Sequence, residues 1–304
     1  MKISFSGKTD RGKVRKKNED FYLIDKLGDD EYIFIVADGM GGHLAGEIAS
    51  RMASEVVRDG MKSAESRKNP FPLLKSLFEE ANRRIYAEGT LNPSRTGMGT
   101  TLTVLYIKGD KGYIVHVGDS RVYRIFGNRI TKLTTDHSLV EKLLREGSIT
   151  MEEALSHPKR NILYQSVGVY GEIHPQMVGP LTIKEGDVFV LCSDGLFDYV
   201  DEDEIRKIAS SLSPDDATKK FIDLANKRGG GDNITVIVVK IPRVEIFEEE
   251  QKVGWLREFL KNIDIPALIF VILLILGFLL GGFYLHLKAK KILSSSPRVS
   301  SVEK

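Results

Sequence analysis

The chain has 304 residues, and its 44 lysines and arginines nearly balance its 42 aspartates and glutamates. A formal net charge of +2 gives no indication of a nucleic-acid partner, and we predict none. The only cysteine, Cys192, excludes an intrachain disulfide and a cysteine-rich zinc site. The length is sufficient for one large domain with an appended segment.

The N-terminal third begins with strongly charged sequence. A basic cluster from Lys13 to Lys17 stands directly before Glu19 and Asp20. Basic clusters are usually solvated surface, but this contrast of sign is also what a site for both metal and phosphate needs. An apolar run with β-branched residues then predicts a buried strand that ends at Asp38, with a glycine beside it. Apolar spacing predicts helices over 48–61 and 72–86.

The middle of the chain predicts antiparallel strands separated by turns rich in Gly, Asp and Asn, a pattern typical of a meander. Ser138 and Thr150 are expected to cap two short helices, the second through a capping box with Glu153. Residues 156–171 show little periodicity, which indicates a loop or flap beside the site. The predicted strands of the meander are 100–107, 112–117, 121–126 and 129–133.

The remaining part of the globular sequence alternates strands and helices before its composition changes. The predicted strands are 174–183, 187–193 and 234–239, the predicted helices are 201–210 and 214–227, and a linker is predicted at 242–264.

An aspartate beside a glycine stands at one end of four predicted strands. These aspartates are Asp38, Asp119, Asp194 and Asp232. In an antiparallel sheet, the end of one strand and the start of its neighbour lie on the same edge, so we expect the four carboxylates to converge. Such a cluster repels itself unless it shares protons or binds cations. Donors that are all oxygen indicate Mg²⁺, Mn²⁺ or Ca²⁺ rather than zinc.

The C-terminal region predicts a transmembrane helix. Residues 265–285 are 21 residues without a formal charge, long enough as a helix to cross about 30 Å of hydrocarbon. The lysines after this segment slightly favour a cytoplasmic tail. We nevertheless expect the globular part to face the cytoplasm, because no signal peptide precedes it. The predicted location is therefore the cell membrane, with a single pass and the lipid bilayer as a partner.

Seven short motifs follow one another between residues 3 and 241. They are Asp10-x-Gly12-x-x-Arg15-x-x-Asn18-Glu19-Asp20, Asp38-Gly39-Met40-Gly41-Gly42-His43, Gly99-Thr100-Thr101, Gly118-Asp119-Ser120-Arg121, Asp136-His137-Ser138-Leu139, Ser193-Asp194-Gly195-Leu196 and Gly231-Asp232-Asn233. In these motifs and in their order, the chain resembles the metal-dependent Ser/Thr protein phosphatases of type 2C, especially the bacterial branch.

The resemblance implies an α+β fold for a catalytic domain at residues 1–241. Two antiparallel sheets would pack face to face with helices on both outer sides, giving four layers, α-β-β-α. The linker, the transmembrane helix and a short basic tail at 286–304 would follow this domain.

The resemblance also implies a centre of two Mn²⁺ or Mg²⁺ ions, with a third, looser ion in some members of the family. The residues carried over are Asp38 as the ligand that bridges both ions, Asp194 and Asp232 as ligands of one, Glu19 and the Gly39 carbonyl as ligands of the other, Asp119 as a ligand of the third, Asp20 as the group that orients metal-bound water and Arg15 as the phosphate-binding group.

The activity implied is hydrolysis of phosphoserine and phosphothreonine in proteins by a hydroxide that bridges the two cations, which requires no protein nucleophile. The implied partners are phosphorylated proteins, namely Ser/Thr kinases and their substrates. Three alternatives remain open: a phosphatase dedicated to one anti-anti-sigma-type regulator, a non-catalytic phosphoprotein-binding protein at the membrane, and a structural Ca²⁺-binding anchor. The last of these leaves Arg15 beside the acids unexplained.

The sequence does not assign a general acid. Many eukaryotic relatives carry a histidine directly after the bridging Asp-Gly, where this chain has Met40. His43 follows three residues later and need not point the same way, so metal-bound water is a candidate.

Overall fold

The computed structural model describes residues 2–41, 45–64, 67–242 and 265–294. His43, the predicted tail beyond residue 294 and all but the first residue of the predicted linker lie outside the described residues. The chain divides into two units, Met1–Arg243 and Val244–Lys304. The candidate site lies in the first unit.

One sheet of the first unit gathers strands from both ends of the sequence. Its strands are β1 (Ser4–Asp10), β8 (Arg121–Phe126), β9 (Arg129–Lys132), β11 (Val188–Cys192) and β12 (Ile234–Lys240). Neighbours pair antiparallel in the order β1-β12-β11-β8-β9.

The other sheet is also antiparallel. Its strands are β2 (Phe21–Gly28), β3 (Glu31–Ala37), β6 (Leu102–Lys108), β7 (Lys111–Val117) and β10 (Gln176–Thr182). They pair in the order β10-β7-β6-β3-β2. A short ribbon beside it joins β4 (Gly39–Met40) to β5 (Gly99–Thr100).

Helices cover the outer faces of both sheets. The helices of this unit are α1 (Ala45–Ser63), α2 (Pro70–Leu91), α3 (Leu139–Arg145), α4 (Met151–Ser156), α5 (Asp194–Phe197), α6 (Glu202–Ser211) and α7 (Pro214–Lys227), with a 3₁₀ turn at Pro93–Arg95. Ser138 and Thr150 cap α3 and α4 as predicted, and the capping box between Thr150 and Glu153 is formed.

Alternating side chains on β3 contribute to two separate cores, because successive residues of a strand point to opposite faces. Ile33 and Ile35 pack with α1 and α2, whereas Phe34 and Val36 pack with residues of the first sheet. All four are fully buried. A third core joins the first sheet to α6 and α7. The expected fold of two antiparallel sheets between helices is therefore confirmed.

The predicted meander is wrong at its midpoint. β6 pairs with β7 in one sheet, but β8 pairs with β9 in the other, so the chain crosses between the sheets at residues 118–120. The free edge of β7 is taken by β10, and that of β8 by β11. Turn residues report only on local chain reversal, and they carry no information about partners so distant in sequence. As a result, Asp119 lies where the chain passes from one sheet to the other.

The C-terminal helix does not support the predicted membrane location. α8 (Ile265–Ser294) begins at the predicted residue but continues past the predicted end at 285, so it includes lysine as well as the uncharged stretch. Within the ranges described, no helix is long and apolar enough to cross a membrane. The predicted transmembrane helix and the single-pass membrane location are therefore wrong, and the bilayer is not shown to be a partner.

Candidate metal centre

Four aspartates lie where the two sheets end together. Asp38 directly follows β3, Asp194 is the first residue of α5 after β11, and Asp232 lies two residues before β12. Asp119 lies in the crossing between β7 and β8. The four residues come from the ends of both sheets, whereas the sequence suggested a single sheet edge.

These carboxylates interact electrostatically. Burial raises the pKa of Asp38 well above its ordinary value, and the charges of Asp20, Asp194, Asp119 and Asp232 raise it further. Burial likewise raises the pKa of Asp194 well above the ordinary value, with a contribution from the charges of Asp119, Asp232 and Asp20. Burial, together with the charge of Asp136, raises the pKa of Asp119 to about 7. The site therefore holds more negative charge than it can stabilise without protons or cations.

Asp20 is buried beside this cluster and is hydrogen-bonded to Ser193. The Ser193 hydroxyl donates to Asp20 Oδ2 at 2.7 Å and accepts from the Thr235 N–H at 3.0 Å. Burial raises the pKa of Asp20 to about 6, although hydrogen bonds from Ser193 and Thr235 oppose the rise. A fixed carboxyl that titrates near neutral pH is suited to exchange a proton with water.

The backbone of Asp38 is held by the Gly-Thr-Thr motif. The Asp38 N–H donates to Thr101 Oγ1 at 2.9 Å, and its carbonyl accepts from the Thr101 N–H at 2.8 Å and from Thr100 Oγ1 at 2.9 Å. Thr101 Oγ1 also pairs with Ser120 Oγ at 2.8 Å. Thr101 thus joins the residue predicted to bridge two ions to the turn that carries Asp119.

Glu19 and Gly39 are adjacent. The Gly39 N–H donates to the Glu19 carbonyl at 3.2 Å. A Cβ atom on Gly39 would lie only 2.2 Å from the Gly46 carbonyl oxygen, so this approach requires glycine. The Glu19 N–H donates to Asn233 Oδ1 at 2.8 Å, which ties Glu19 to the residue after Asp232.

Arg15 contacts the cluster from its exposed side. Its Nη2 donates to Asp232 Oδ2 at 2.7 Å, and the other carboxylate oxygen accepts from the Asn233 N–H at 2.8 Å. The Arg15 side chain is 50% exposed. A guanidinium carries five N–H donors, so the pair with Asp232 leaves donors for an anionic ligand.

The donor set fits hard divalent cations. Glu19 Oε1 and Asp194 Oδ1 are buried, and neither oxygen has a hydrogen-bond partner in the described part of the chain. Oxygen atoms of this kind, next to aspartates with raised pKa values, suit Mg²⁺ or Mn²⁺. No three His, Cys, Asp or Glu side chains of the described ranges are arranged to hold a metal ion as they stand. Mg²⁺ commonly keeps several water ligands, so the protein need not supply every oxygen donor.

A flap, residues 138–163, lies beside the cluster. Its base is closed by hydrogen bonds from the Leu139 N–H to the Ile162 carbonyl at 2.8 Å and from the Tyr164 N–H to the His137 carbonyl at 2.9 Å. A cavity of about 380 Å³ separates the flap from the cluster. Its walls include Asp119 and Asp194 on the cluster side and side chains of α3, α4 and residues 160–161 on the flap side. The segment predicted as a loop or flap at 156–171 thus supplies only part of this wall.

Arg121 connects the flap base to α5. Its Nε and Nη2 donate to Asp136 Oδ2 at 3.0 and 2.7 Å, and its Nη1 donates to the Tyr123 hydroxyl at 3.1 Å. The guanidinium lies 3.5 Å from the centre of the Phe197 ring. Because Phe197 is in the helix that begins with Asp194, this contact links the positions of Asp119 and Asp194.

His116 is not suited to act as the general acid. His116 is fully buried in β7 and shares a 2.8 Å hydrogen bond with Thr103, and burial lowers its pKa to about 3. His157 follows α4 in the flap. Met40 occupies the position after the Asp-Gly pair, in β4.

Sequence reasoning gave no role to several residues that hold the site together. Thr101, Ser193, Asn233 and Arg121 all stand in the motifs quoted above, next to predicted ligands. Their polar side chains beside the aspartates were the available signal, but their partners lie far away in the chain and were not predictable from spacing.

Three comparisons connect this architecture to known proteins. Residues 10–226 match the family model described as Protein phosphatase 2C. The chain is 40% identical over 239 residues to the serine/threonine phosphatase stp of Listeria welshimeri, covering 77% of this chain and 94% of that protein. It is also 40% identical over 240 residues to protein phosphatase PhpP of Streptococcus pneumoniae, covering 77% and 95%.

A solved structure is similar over the same region. The catalytic domain of the serine/threonine protein phosphatase PstP, in complex with two manganese ions, superposes with a TM-score of 0.70 and 31% identity, over 79% of this chain and 98% of that one. Together with the family match and the site at the end of the two sheets, this similarity shows that the chain belongs to the protein phosphatase 2C family of metal-dependent protein Ser/Thr phosphatases.

Proposed function

We propose that residues 1–241 form a catalytic domain that hydrolyses phosphoserine and phosphothreonine in proteins through two divalent cations, Mn²⁺ or Mg²⁺. The observation that carries the proposal is the convergence of partly buried aspartates beside the half-exposed Arg15. A pair of such cations, when bound, would lower the pKa of a water between them and stabilise charge at phosphorus.

The roles proposed for the residues follow their positions. Asp38 would bridge both ions, and its fixed backbone supports that role. The proposed ligands are Asp38, Asp194 and Asp232 for one ion, Asp38, Glu19 and the Gly39 carbonyl for the other, and Asp119 for a third, looser ion. Asp20 would hold or accept a proton of the attacking water, and Arg15 would orient the phosphoryl group through its remaining N–H donors. Bacterial Ser/Thr kinases and their substrates are the proposed partners.

The test is phosphate release from a phosphothreonine peptide by the full-length chain with Mn²⁺, with Mg²⁺ and with EDTA. We expect phosphate release with either metal and none with EDTA. Asp38→Asn should lower the rate of release by more than roughly 100-fold, because removing a residue that only supports a metal ligand already commonly lowers metal affinity or activity 10- to 100-fold. The matched control is Asp59→Asn, which removes an exposed acid on α1 paired with Arg58. A folded wild-type chain that binds Mn²⁺ but releases no phosphate would favour a non-catalytic phosphoprotein-binding role.

A further inference from the structure

The basic loop, residues 11–17, has a fixed backbone. Asn233 Nδ2 donates to the Arg11 carbonyl and to the Lys17 carbonyl, each at 2.8 Å. Between these two anchors, the Lys13 N–H donates to the Gly230 carbonyl at 2.7 Å. The loop is therefore held at both ends and near its middle against the segment that leads into β12.

The closest approach of the basic loop is to Asp232. Gly12 has a φ of +76°, and a Cβ atom there would lie 2.1 Å from the Asp232 carbonyl oxygen. Glycine is therefore required at this contact. Because Arg15 pairs with the carboxylate of the same aspartate, the loop borders the place where a phosphoryl group would be bound.

The side chains of the basic loop are exposed and largely unpaired. Arg11, Lys13, Lys16 and Lys17 are all exposed. In the part of the chain that the structure describes, the ion pair of this loop joins Arg15 to Asp232, and these four side chains pair with no acid. The neighbouring Asp10 carboxylate already accepts from the Gly12 N–H and from Asn226. Among the residues that the structure describes, these four positive charges thus stand on an anchored backbone and have no acidic partner.

We propose that the basic loop binds acidic residues that flank the phosphorylated residue of a substrate protein. The proposal rests on the phosphatase function above and extends it to the class of substrate sequence. A fixed loop loses little conformational freedom on binding, so each ion pair contributes more of its energy to recognition. Opposite charges at the rim of a site favour the matching partner and speed its association.

The dimensions match this reading. Lys13 and Lys17 each stand two residues from Arg15, and a chain spans at most about 3.6 Å per residue, so their Cα atoms lie within about 7 Å of that of Arg15. In an extended substrate, the residue two positions from the phosphorylated one is displaced by the same distance. An aspartate or glutamate two or three positions away therefore comes within reach of a lysine side chain.

The location of the basic loop favours a protein substrate over another polyanion. Its basic residues stand on both sides of Arg15 in the sequence, and the formal net charge of the whole chain is only +2. A peptide whose phosphoryl group is bound at Arg15 would place its flanking residues beside this loop.

The test compares two phosphothreonine peptides. One has Asp and the other has Asn at the second and third residues before and after the phosphothreonine, and the peptides are otherwise identical. The loop variant is Lys13→Gln/Lys16→Gln/Lys17→Gln. The matched control is Lys68→Gln/Lys219→Gln/Lys220→Gln, three exposed lysines elsewhere, and both variants change the formal net charge from +2 to −1. Turnover by the full-length chain is measured with Mn²⁺ on both peptides and on p-nitrophenyl phosphate, which has no flanks.

We expect the wild type and the control to prefer the Asp peptide roughly tenfold in kcat/KM, since several exposed ion pairs contribute. In the loop variant this preference should disappear, while turnover of p-nitrophenyl phosphate stays unchanged. Salt at 0.5 M should reduce the wild-type preference, because exposed charges are screened.

Equal turnover of both peptides by the wild type would overturn the inference. So would an equal loss on all three substrates in the loop variant, which would mean that the lysines only support the fold of the loop. Binding to anionic phospholipid vesicles that the loop variant loses, without any peptide preference, would assign the loop to a membrane surface instead. Failure of the wild type to hydrolyse any substrate would overturn the proposed function itself, and this inference with it.

Discussion

The same strands build the space between the two sheets and the charged end where the sheets meet. β3 places fully buried Phe34 between the sheets and is followed by Asp38, and β11 places fully buried Phe189 there and is followed by Asp194. Burial of a large apolar side chain contributes roughly 2 kcal/mol to stability. At the charged end, burial instead raises the pKa of the aspartates, which means that it opposes their ionised form.

This difference separates stability from function within one set of strands. The inter-sheet core contributes stability regardless of ligands, whereas the charged end lowers stability until protons or cations compensate it. Substitutions in the two regions should therefore have opposite signatures. Substitutions of the carboxylates at the charged end should abolish activity without loss of stability, and those in the core should lower stability without loss of activity.

The largest effect is expected for Asp194→Asn. Turnover of a phosphothreonine peptide should fall by more than roughly 100-fold, because a carboxylate with a buried oxygen and no hydrogen-bond partner is lost as a ligand. In EDTA the free energy of unfolding should rise by on the order of 1 kcal/mol, because repulsion from neighbouring acids is relieved. Urea unfolding in EDTA and phosphate release with Mn²⁺ measure the two effects.

Asp203→Asn, an exposed position on α6 that pairs with Arg206, serves as the control for Asp194→Asn. It should change neither activity nor stability by more than an exposed ion pair contributes. Lower stability of Asp194→Asn in EDTA would contradict the view that the charged end is destabilising without cations.

A smaller and more local effect is expected for Thr101→Val. Thr101 Oγ1 accepts a hydrogen bond from the Asp38 N–H, whereas Thr103 Oγ1, two residues further on, shares a hydrogen bond with His116. Each valine variant removes one buried hydroxyl and should cost about 1–3 kcal/mol of stability. Only Thr101→Val should also lower kcat, by roughly 10- to 100-fold, because it releases the backbone of a proposed ligand. Equal losses of kcat in the two variants would show that the position of Asp38 does not depend on Thr101.

Part of this arrangement was predictable from sequence. The apolar runs that end in Asp38 and Asp194 predicted both the strands and the charged end, because strand periodicity and Asp-Gly turns are local signals. The division of the strands between two sheets was not predictable from turns, and the predicted meander failed at residues 118–120 for that reason. The hydrogen bonds from Ser193 to Asp20 and from the Glu19 N–H to Asn233 were also missed, since each joins segments more than 170 residues apart. Uncharged length alone also gave the wrong result for residues 265–285.

The pH dependence of stability distinguishes the two regions without mutation. The folded-state pKa values of Asp20 and Asp119 are about 6 and about 7, above the ordinary 3.8. At pH values between the ordinary pKa and the raised folded-state pKa, these carboxyl groups are protonated in the folded state but ionised in the unfolded state. The free energy of unfolding should therefore fall as pH rises. In EDTA we expect a decrease on the order of 4 kcal/mol between about pH 5 and pH 8.

Mn²⁺ should weaken or reverse this slope, because cations bind the ionised carboxylates and bind more tightly as pH rises. In EDTA, Asp119→Asn should show a smaller decrease of the free energy of unfolding with pH than the wild type. Other titrating groups contribute equally to both proteins, so the difference between them isolates the contribution of Asp119. Urea unfolding at a series of pH values measures both. A free energy of unfolding that rises with pH in EDTA, with the same slope in Asp119→Asn, would contradict the raised pKa values.

The smallest effect is expected in the core, for Ile237→Val. Ile237 is fully buried between the sheets, on the strand that follows Asp232. Losing one methylene should lower the free energy of unfolding by about 0.5–1.5 kcal/mol in both EDTA and Mn²⁺, through lost contacts and a small cavity. Well below the melting temperature, kcat and KM should stay at their wild-type values, because close-packed strands hold the charged end in place even when one core contact is weakened. A loss of kcat larger than twofold would show that packing between the sheets sets the geometry of the carboxylates, and that the two regions are not separable.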